Sequence, residues 1–133
     1  ETEEDHKRTL AVLEASELAD SHIFPYSIRP GTTAAHFDDQ IDVRVRTRRA
    51  EELRTVADEM ARKHRSSFVG SVRSVLWEGV RGTSGLSDNY LRVSLEPGEI
   101  TAAPNRSDRG VVEDIRFNRL EGLQLVGSHA GSR

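Results

Sequence analysis

The hydrophobic period of the chain changes at Gly70, and this restricts it to two kinds of structure in series. Ahead of that point Val45, Arg49/Ala50, Leu53, Val56/Ala57, Met60/Ala61 and His64 recur at helical spacing. They predict a long helix over residues 42–65, with Asp42 as its natural N-cap. The pattern continues toward Phe68 before Gly70 stops it. Beyond Gly70 the β-prone runs are short: Ser71–Trp77, Tyr90–Leu95, Val111–Phe117 and Leu123–Val126. Turn-rich stretches separate them, at Gly79 to Gly85, Glu96-Pro97-Gly98 and Asn105 to Gly110. Four or five short strands within ~65 residues fit a small all-β barrel. A domain boundary is expected near Ser66–Gly70.

The part before the long helix reads differently. Residues 2–18 predict a short helix, with Thr2 as N-cap and Asp5 three residues on, a variant of the capping box. Glu3, Glu4 and Asp5 then lie in the first turn, where the helix dipole favours them. Capping accounts for these carboxylates without a catalytic role. Leu10, Leu13 and Leu18 give a partial apolar stripe. His22 to Tyr26 predicts a short strand centred on Ile23 and Phe24, and Pro25 restricts it to an edge or an end. Pro30-Gly31 is the preferred central pair of a type II turn, because proline presets φ and glycine accepts a positive one. Arg29, ahead of a proline, is held extended. The loop should therefore be stiff and present Tyr26, Ser27, Arg29 and Thr32 as a fixed polar group.

Composition narrows the chemistry. The chain has 133 residues and a net charge of −3, so it is not a globally basic nucleic-acid binder, although a local basic patch remains open. Residues 1–41 carry 3 basic and 9 acidic side chains, residues 42–65 carry 8 and 5, and residues 66–133 carry 8 and 8. Cysteine is absent, which excludes a disulfide scaffold, a thiol nucleophile and an iron–sulfur cluster held by these residues alone. No apolar run approaches the ~18 residues of a membrane span. The first residue is Glu1 and the single methionine is Met60, which points to a processed start or to the tail of something longer.

The five histidines form no H-x-x-x-H or H-x-x-H pair. His36 with Asp38 and Asp39 comes nearest to a metal cluster and lacks further ligands, so no metal site is expected. No nucleophile elbow, Walker loop or dinucleotide fingerprint occurs, and Gly79, Gly82 and Gly85 read as a hairpin connection. Asn105-Arg106-Ser107 matches a glycosylation acceptor but carries no weight without a secretion signal. Arg44, Arg46, Arg48 and Arg49 crowd the first turns of the long helix, where the dipole opposes cations. They read equally as a phosphate-binding stripe or as a solvated face paired with Glu51, Glu52, Asp58 and Glu59. In the β part Tyr90, Arg92 and Trp77 are candidates for one face of an OB-type or SH3-like barrel, where aromatics and arginines bind single strands. Tyr90 and Trp77 fit a core equally well.

Several segments resemble one family. Phe24-Pro25-Tyr26-Ser27-Ile28-Arg29-Pro30-Gly31-Thr32-Thr33-Ala34-Ala35 fits F-P-Y-S-x-R-P-G-T-x-A-A, a signature of the radical-SAM methylthiotransferases. Glu1-Thr2-Glu3-Glu4-Asp5 resembles the segment after the family's G-F-P-G stretch. Gln40, Arg49-Ala50 and Leu53 resemble its Q-(I/V)-…-R-A-x-x-L helix. Val75-Leu76-Trp77-Glu78 resembles the V-L-x-E strand that opens its C-terminal TRAM domain. Gly85-Leu86-Ser87-Asp88-Asn89-Tyr90-Leu91-Arg92-Val93 resembles its G-x-(T/S)-(D/E)-N-Y-x-x-V strand. The resemblance runs in order along nearly the whole chain and weakens in residues 96–110 and after Gly127. The F-P-Y-S and D-N-Y forms look most like the branch acting on tRNA threonylcarbamoyladenosine.

The resemblance implies an enzyme that adds a methylthio group to C2 of the modified adenosine beside the anticodon. It implies S-adenosylmethionine and two [4Fe–4S] clusters as cofactors, tRNA as partner and a cytoplasmic location. Because the cluster cysteines are missing, it also implies that this chain is a C-terminal part, inactive alone. Residues 1–41 would be the end of an α/β radical-SAM partial barrel, residues 42–68 a linking helix and residues 69–133 an OB-like TRAM barrel. Tyr26, Ser27, Arg29 and Thr32 would line the pocket. Arg44, Arg46, Arg48, Arg49, Tyr90 and Arg92 would contact RNA. The alternatives are a stand-alone RNA-binding module, or a relative acting on isopentenyl-type adenosine or on a ribosomal protein.

Overall fold

A computed structural model describes residues 1–78, 80–100 and 110–131. Gly79, the Asn105-Arg106-Ser107 triplet and the rest of the turn-rich stretch up to Arg109 lie outside the described residues. The chain divides into two compact units, Glu1–Ala61 and Arg62–Arg133.

The first unit opens with α1, Glu3–Ala15. Its start is capped as the sequence indicates: the Thr2 hydroxyl accepts from the Asp5 amide at 3.1 Å, and the Asp5 carboxylate accepts from the Thr2 amide at 2.8 Å. The helix stops at Ala15, so Leu18 falls outside it and is exposed. The second helix, α2, runs over Val43–Ser66. Asp42 caps it, accepting the Arg44 amide on Oδ1 at 2.8 Å, and Lys63, His64 and Arg65 fill its last turn, where the dipole favours cations.

The strand expected at His22–Tyr26 does not form, and no strand occurs among the described residues before Val72. A strand needs a ladder partner, and the first unit offers none. Two α2 arginines occupy part of that role instead: Arg54 donates to the Ile23 carbonyl at 3.2 Å, and Arg46 to the Tyr26 carbonyl at 2.7 Å. Phe24, meant for the centre of the strand, is 83% exposed. The Arg29–Thr32 turn does form, with the Thr32 amide donating to the Arg29 carbonyl at 3.3 Å and Gly31 at φ +83°.

The second unit is a five-stranded closed barrel: β1 (Val72–Trp77), β2 (Gly85–Ser87), β3 (Arg92–Leu95), β4 (Val112–Glu121) and β5 (Gln124–His129). The order around it is β1-β2-β3-β5-β4, and β1 pairs with both β2 and β4. Neighbours are antiparallel except β3 and β5. Closure leaves no free edge. Inward positions alternate along each strand, so Val75, Trp77, Val93, Leu95, Ile115, Phe117 and Leu125 meet in one core, with Leu91 beside them. Each such side chain stabilises the fold by about 1.5–3 kcal/mol through burial. Phe68, Ile100 and Leu120 pack against this core.

Strand β2 begins at Gly85, the last residue of the stretch expected as turn, because glycine has no β preference of its own. It is required by packing. A Cβ at Gly85 would lie 2.5 Å from Val75 Cγ1 and 2.6 Å from Trp77 Cε3. Gly85→Ala is therefore expected to destabilise the barrel by about 2–3 kcal/mol through overpacking. Gly98, with open space around it, should accept alanine within about 0.5 kcal/mol. Urea unfolding followed by the fluorescence of the single tryptophan separates the two variants.

Candidate functional site

In the first unit two of the four stripe arginines, Arg48 and Arg49, are engaged with Glu1 and with the start of α1. Arg49 is 7% exposed and donates to the Glu1 carbonyl and to Glu1 Oε2, both at 2.9 Å, and to Glu3 Oε2 at 3.0 Å. Arg48 bridges Glu3 Oε2 at 3.0 Å and Glu52 Oε1 at 2.9 Å. The other Glu52 oxygen lies 2.6 Å from Nε2 of His6, whose side chain is 1% exposed. The hydrogen bond from Arg48, reinforced by Arg49, holds the Glu3 carboxyl below its ordinary range. The His6 contact does the same for Glu52.

Arg46 lies 5.8 Å from the Tyr26 ring centroid. With Ala34, Phe37, Gln40 and Ile41, these two residues line a cleft of about 300 Å³. Of the predicted pocket group, Tyr26 is thus at the cleft, while Ser27, Arg29 and Thr32 are exposed. Thr32 is occupied locally, its hydroxyl donating to the Arg29 carbonyl at 2.8 Å. Arg44 is exposed, and among the described residues no ion pair holds its side chain.

In the barrel, a polar cluster surrounds Glu113. Its carboxylate accepts from Trp77 Nε1 at 2.8 Å and from Arg81 Nε at 2.7 Å, with Arg81 Nη2 paired to the other oxygen. His129 lies between two carboxylates, with Nδ1 2.8 Å from Glu99 and Nε2 3.4 Å from Glu113. Sequence reading missed this cluster, whose members come from four separated segments; the one available signal was a tryptophan in a strand, whose buried N–H needs an acceptor. Arg81, and after it Trp77, hold the Glu113 carboxyl below its ordinary value of 4.5 despite burial, which acts the other way.

On the outer surface, the registers Val112↔Leu76, Leu76↔Leu86 and Leu86↔Arg92 set these four residues in one row across β4, β1, β2 and β3. Arg92 pairs with Glu78, and Arg73 pairs with Asp88 at 3.0 Å while lying over the Phe68 ring. Trp77 belongs to the core, whereas Tyr90 is 82% exposed in the turn between β2 and β3. The sequence left both residues open between core and platform, and the barrel separates them.

Among the described residues no group of three or more histidine, cysteine or acidic side chains could hold a metal. Without a cysteine thiolate, the donor set does not fit an iron–sulfur cluster. No described helix is long and apolar enough to cross a membrane.

The small closed barrel thus presents an exposed tyrosine in the turn before β3 and an exposed arginine at the start of β3. No family model matches the chain. The chain is 32% identical over 100 residues to the threonylcarbamoyladenosine tRNA methylthiotransferase MtaB of Bacillus subtilis, a match covering 70% of this chain and 22% of that protein. It is 33% identical over 133 residues to the tRNA-2-methylthio-N(6)-dimethylallyladenosine synthase of Akkermansia muciniphila, covering 100% of this chain and 29% of that protein. The synthase of the same name from Geobacter sulfurreducens is 40% identical over 80 residues, or 60% of this chain and 18% of its own length. The chain belongs to the radical-SAM methylthiotransferase family, and it spans less than a third of the length of these relatives.

Glu113 generates a pH prediction. Its folded-state pKa is depressed, so its contribution is complete above its ordinary value and is lost as pH falls through that value toward the folded one. Glu113→Gln is expected to cost about 1–3 kcal/mol at neutral pH, since Trp77 and Arg81 lose a charged acceptor. The gap to the wild-type chain should narrow in acid. Urea midpoints taken at neutral pH and again well below pH 4.5 check this; a gap that stays constant would show that the carboxylate charge is not what holds the cluster.

Proposed function

We propose that this chain is the C-terminal portion of a tRNA methylthiotransferase and that it contributes RNA binding to the intact enzyme. The observation that carries this reading is similarity across all 133 residues to a tRNA-2-methylthio-N(6)-dimethylallyladenosine synthase. Residues 1–41 would complete the radical-SAM domain, residues 42–68 link it onward, and residues 69–133 form an OB-like TRAM barrel. The missing cysteines fit a division of labour in which the clusters and S-adenosylmethionine are held elsewhere in the intact protein. Tyr26, at its cleft with Arg46, is the member of the predicted pocket group best placed to line a site, with Ser27, Arg29 and Thr32 on the loop that follows.

For the substrate, we favour adenosine carrying threonylcarbamoyl at N6, on the F-P-Y-S and D-N-Y forms and on the match to MtaB. Relatives named for the dimethylallyl substrate match as well, so the two branches are told apart by chemistry. Nucleosides from tRNA of cells with and without the gene, read by mass spectrometry, should differ by the methylthio derivative of threonylcarbamoyladenosine. Loss of the methylthio group from dimethylallyladenosine instead would assign the other branch. An unchanged tRNA profile would turn the reading toward a free RNA-binding module, which closure of the barrel without outside strands favours.

RNA binding is assigned first to the barrel, because Arg48 and Arg49 are each held by two carboxylates of their own unit, whereas Arg92 is exposed and pairs with Glu78 alone. Arg92→Ala is expected to weaken tRNA binding and to reduce its salt slope by about one unit. Arg44→Ala should have an effect of the same kind if the helix stripe also contacts phosphate. Binding isotherms over a salt series measure both.

A further inference from the structure

We propose that the β2–β3 turn is a stacking site for an unpaired base of RNA, with the Tyr90 ring as its platform. The proposal rests on the reading of the barrel as an RNA-binding unit and names the state of the nucleotide it takes.

The backbone carries the first part of the argument. Among the described residues, Tyr90 and Glu17 alone are non-glycine residues at positive φ, and Tyr90 stands at +63°. A bulky aromatic residue is unfavourable there, and glycine is the residue that fits without cost. Hydrogen bonds hold the turn in this conformation. The Tyr90 amide donates to the Ser87 carbonyl at 2.9 Å, and the Ser87 amide to the Leu91 carbonyl at 3.0 Å. The Leu91 amide donates to Ser87 Oγ at 2.9 Å, and the Asp88 amide to the Ser74 carbonyl at 3.0 Å. A tyrosine is thus fixed where glycine would be easier, and its ring, 82% exposed, adds nothing to the core. Strain maintained without a packing return marks a functional position.

The surroundings select the partner. The row Val112, Leu76 and Leu86 ends at Arg92, two residues from Tyr90, so a partly exposed apolar strip runs toward the end of the barrel surface that carries a guanidinium and an exposed aromatic ring. Residues 62–133 carry 11 basic and 8 acidic side chains, against 8 and 14 in residues 1–61. The excess comes from Arg62, Lys63 and Arg65 in the last turns of α2, which make the second unit the cationic half of an acidic chain and suit it to a polyanion. An exposed ring takes up the face of a base only when that base is out of its own stack, as in a loop or single strand.

The test uses the whole 133-residue chain and two labelled RNAs, a single strand of about 12 nucleotides and the fully paired duplex of the same sequence, read by fluorescence anisotropy. Tyr90→Ala is expected to weaken single-strand binding about 5- to 100-fold and to leave duplex binding nearly unchanged. Tyr90→Trp should bind like the wild-type chain. Tyr90→Gly should lose binding as alanine does, yet melt no lower than wild type, because it relieves the positive φ. Equal binding of the single strand by wild type, Tyr90→Ala and Tyr90→Gly overturns the stacking site while leaving RNA binding by the barrel in place. A loss of the same size on single strand and duplex also overturns it. Failure of the wild-type chain to bind either RNA overturns the underlying reading and the stacking site with it.

Discussion

Burial of the Trp77 indole is the constraint on which the barrel depends. The ring is fully buried, and it dictates residues on both sides of itself. Its face requires the absence of a side chain at Gly85, which fixes where β2 can lie against β1. Its N–H requires a buried acceptor, and Glu113 on β4 supplies it. A part-buried carboxylate in turn needs a cationic partner, which Arg81 supplies, and the His129 ring faces it from β5. One side chain thus links β1 to β2 through volume and to β4 through a hydrogen bond, with β5 joined to the same carboxylate. The same logic recurs at Gly127 on β5, where a Cβ would meet the Arg116 carbonyl at 2.5 Å, so a close backbone approach closes the barrel beside the core.

In the first unit the organising force is electrostatic. The start of α2 carries arginines where the helix dipole disfavours them, and α1 begins with carboxylates where its own dipole favours them. Setting Glu1 and Glu3 against Arg48 and Arg49 resolves both conditions with one set of contacts. The pairs are partly exposed, so their worth lies in geometry more than in energy. They specify which faces of the helices meet, in a unit whose apolar residues Phe24, Ile28, Phe37 and Val43 remain exposed.

The helices and most strands were legible because they depend on local pattern. Thr2 and Asp5, Asp42, and the Pro30-Gly31 turn act within a few residues, and each does what its chemistry dictates. What sequence reading missed depends on distant partners. The segment around Phe24 has strand composition but no strand to pair with, and composition cannot reveal that. Gly85 looks like a turn residue until the Trp77 ring is set over it. Arg48 and Arg49 look free for phosphate until α1 is folded against them. Tyr90 was read as the first residue of a strand, and only its φ places it in the turn before β3.

These particulars change where binding chemistry belongs. A reading from charge density alone centres on α2, which has the densest run of arginines. Yet a cation already held by two carboxylates must exchange them for phosphate, and the exchange gains little in salt water. Tyr90 is in the opposite position. Its backbone is fixed by hydrogen bonds and its ring is already exposed, so stacking a base on it would break no existing contact. Backbone ordering, normally a cost when a loop binds, has been met by the fold of the turn. An exposed ring on a fixed backbone is therefore a better candidate for a binding element than Arg48 and Arg49, whose partners lie in their own chain.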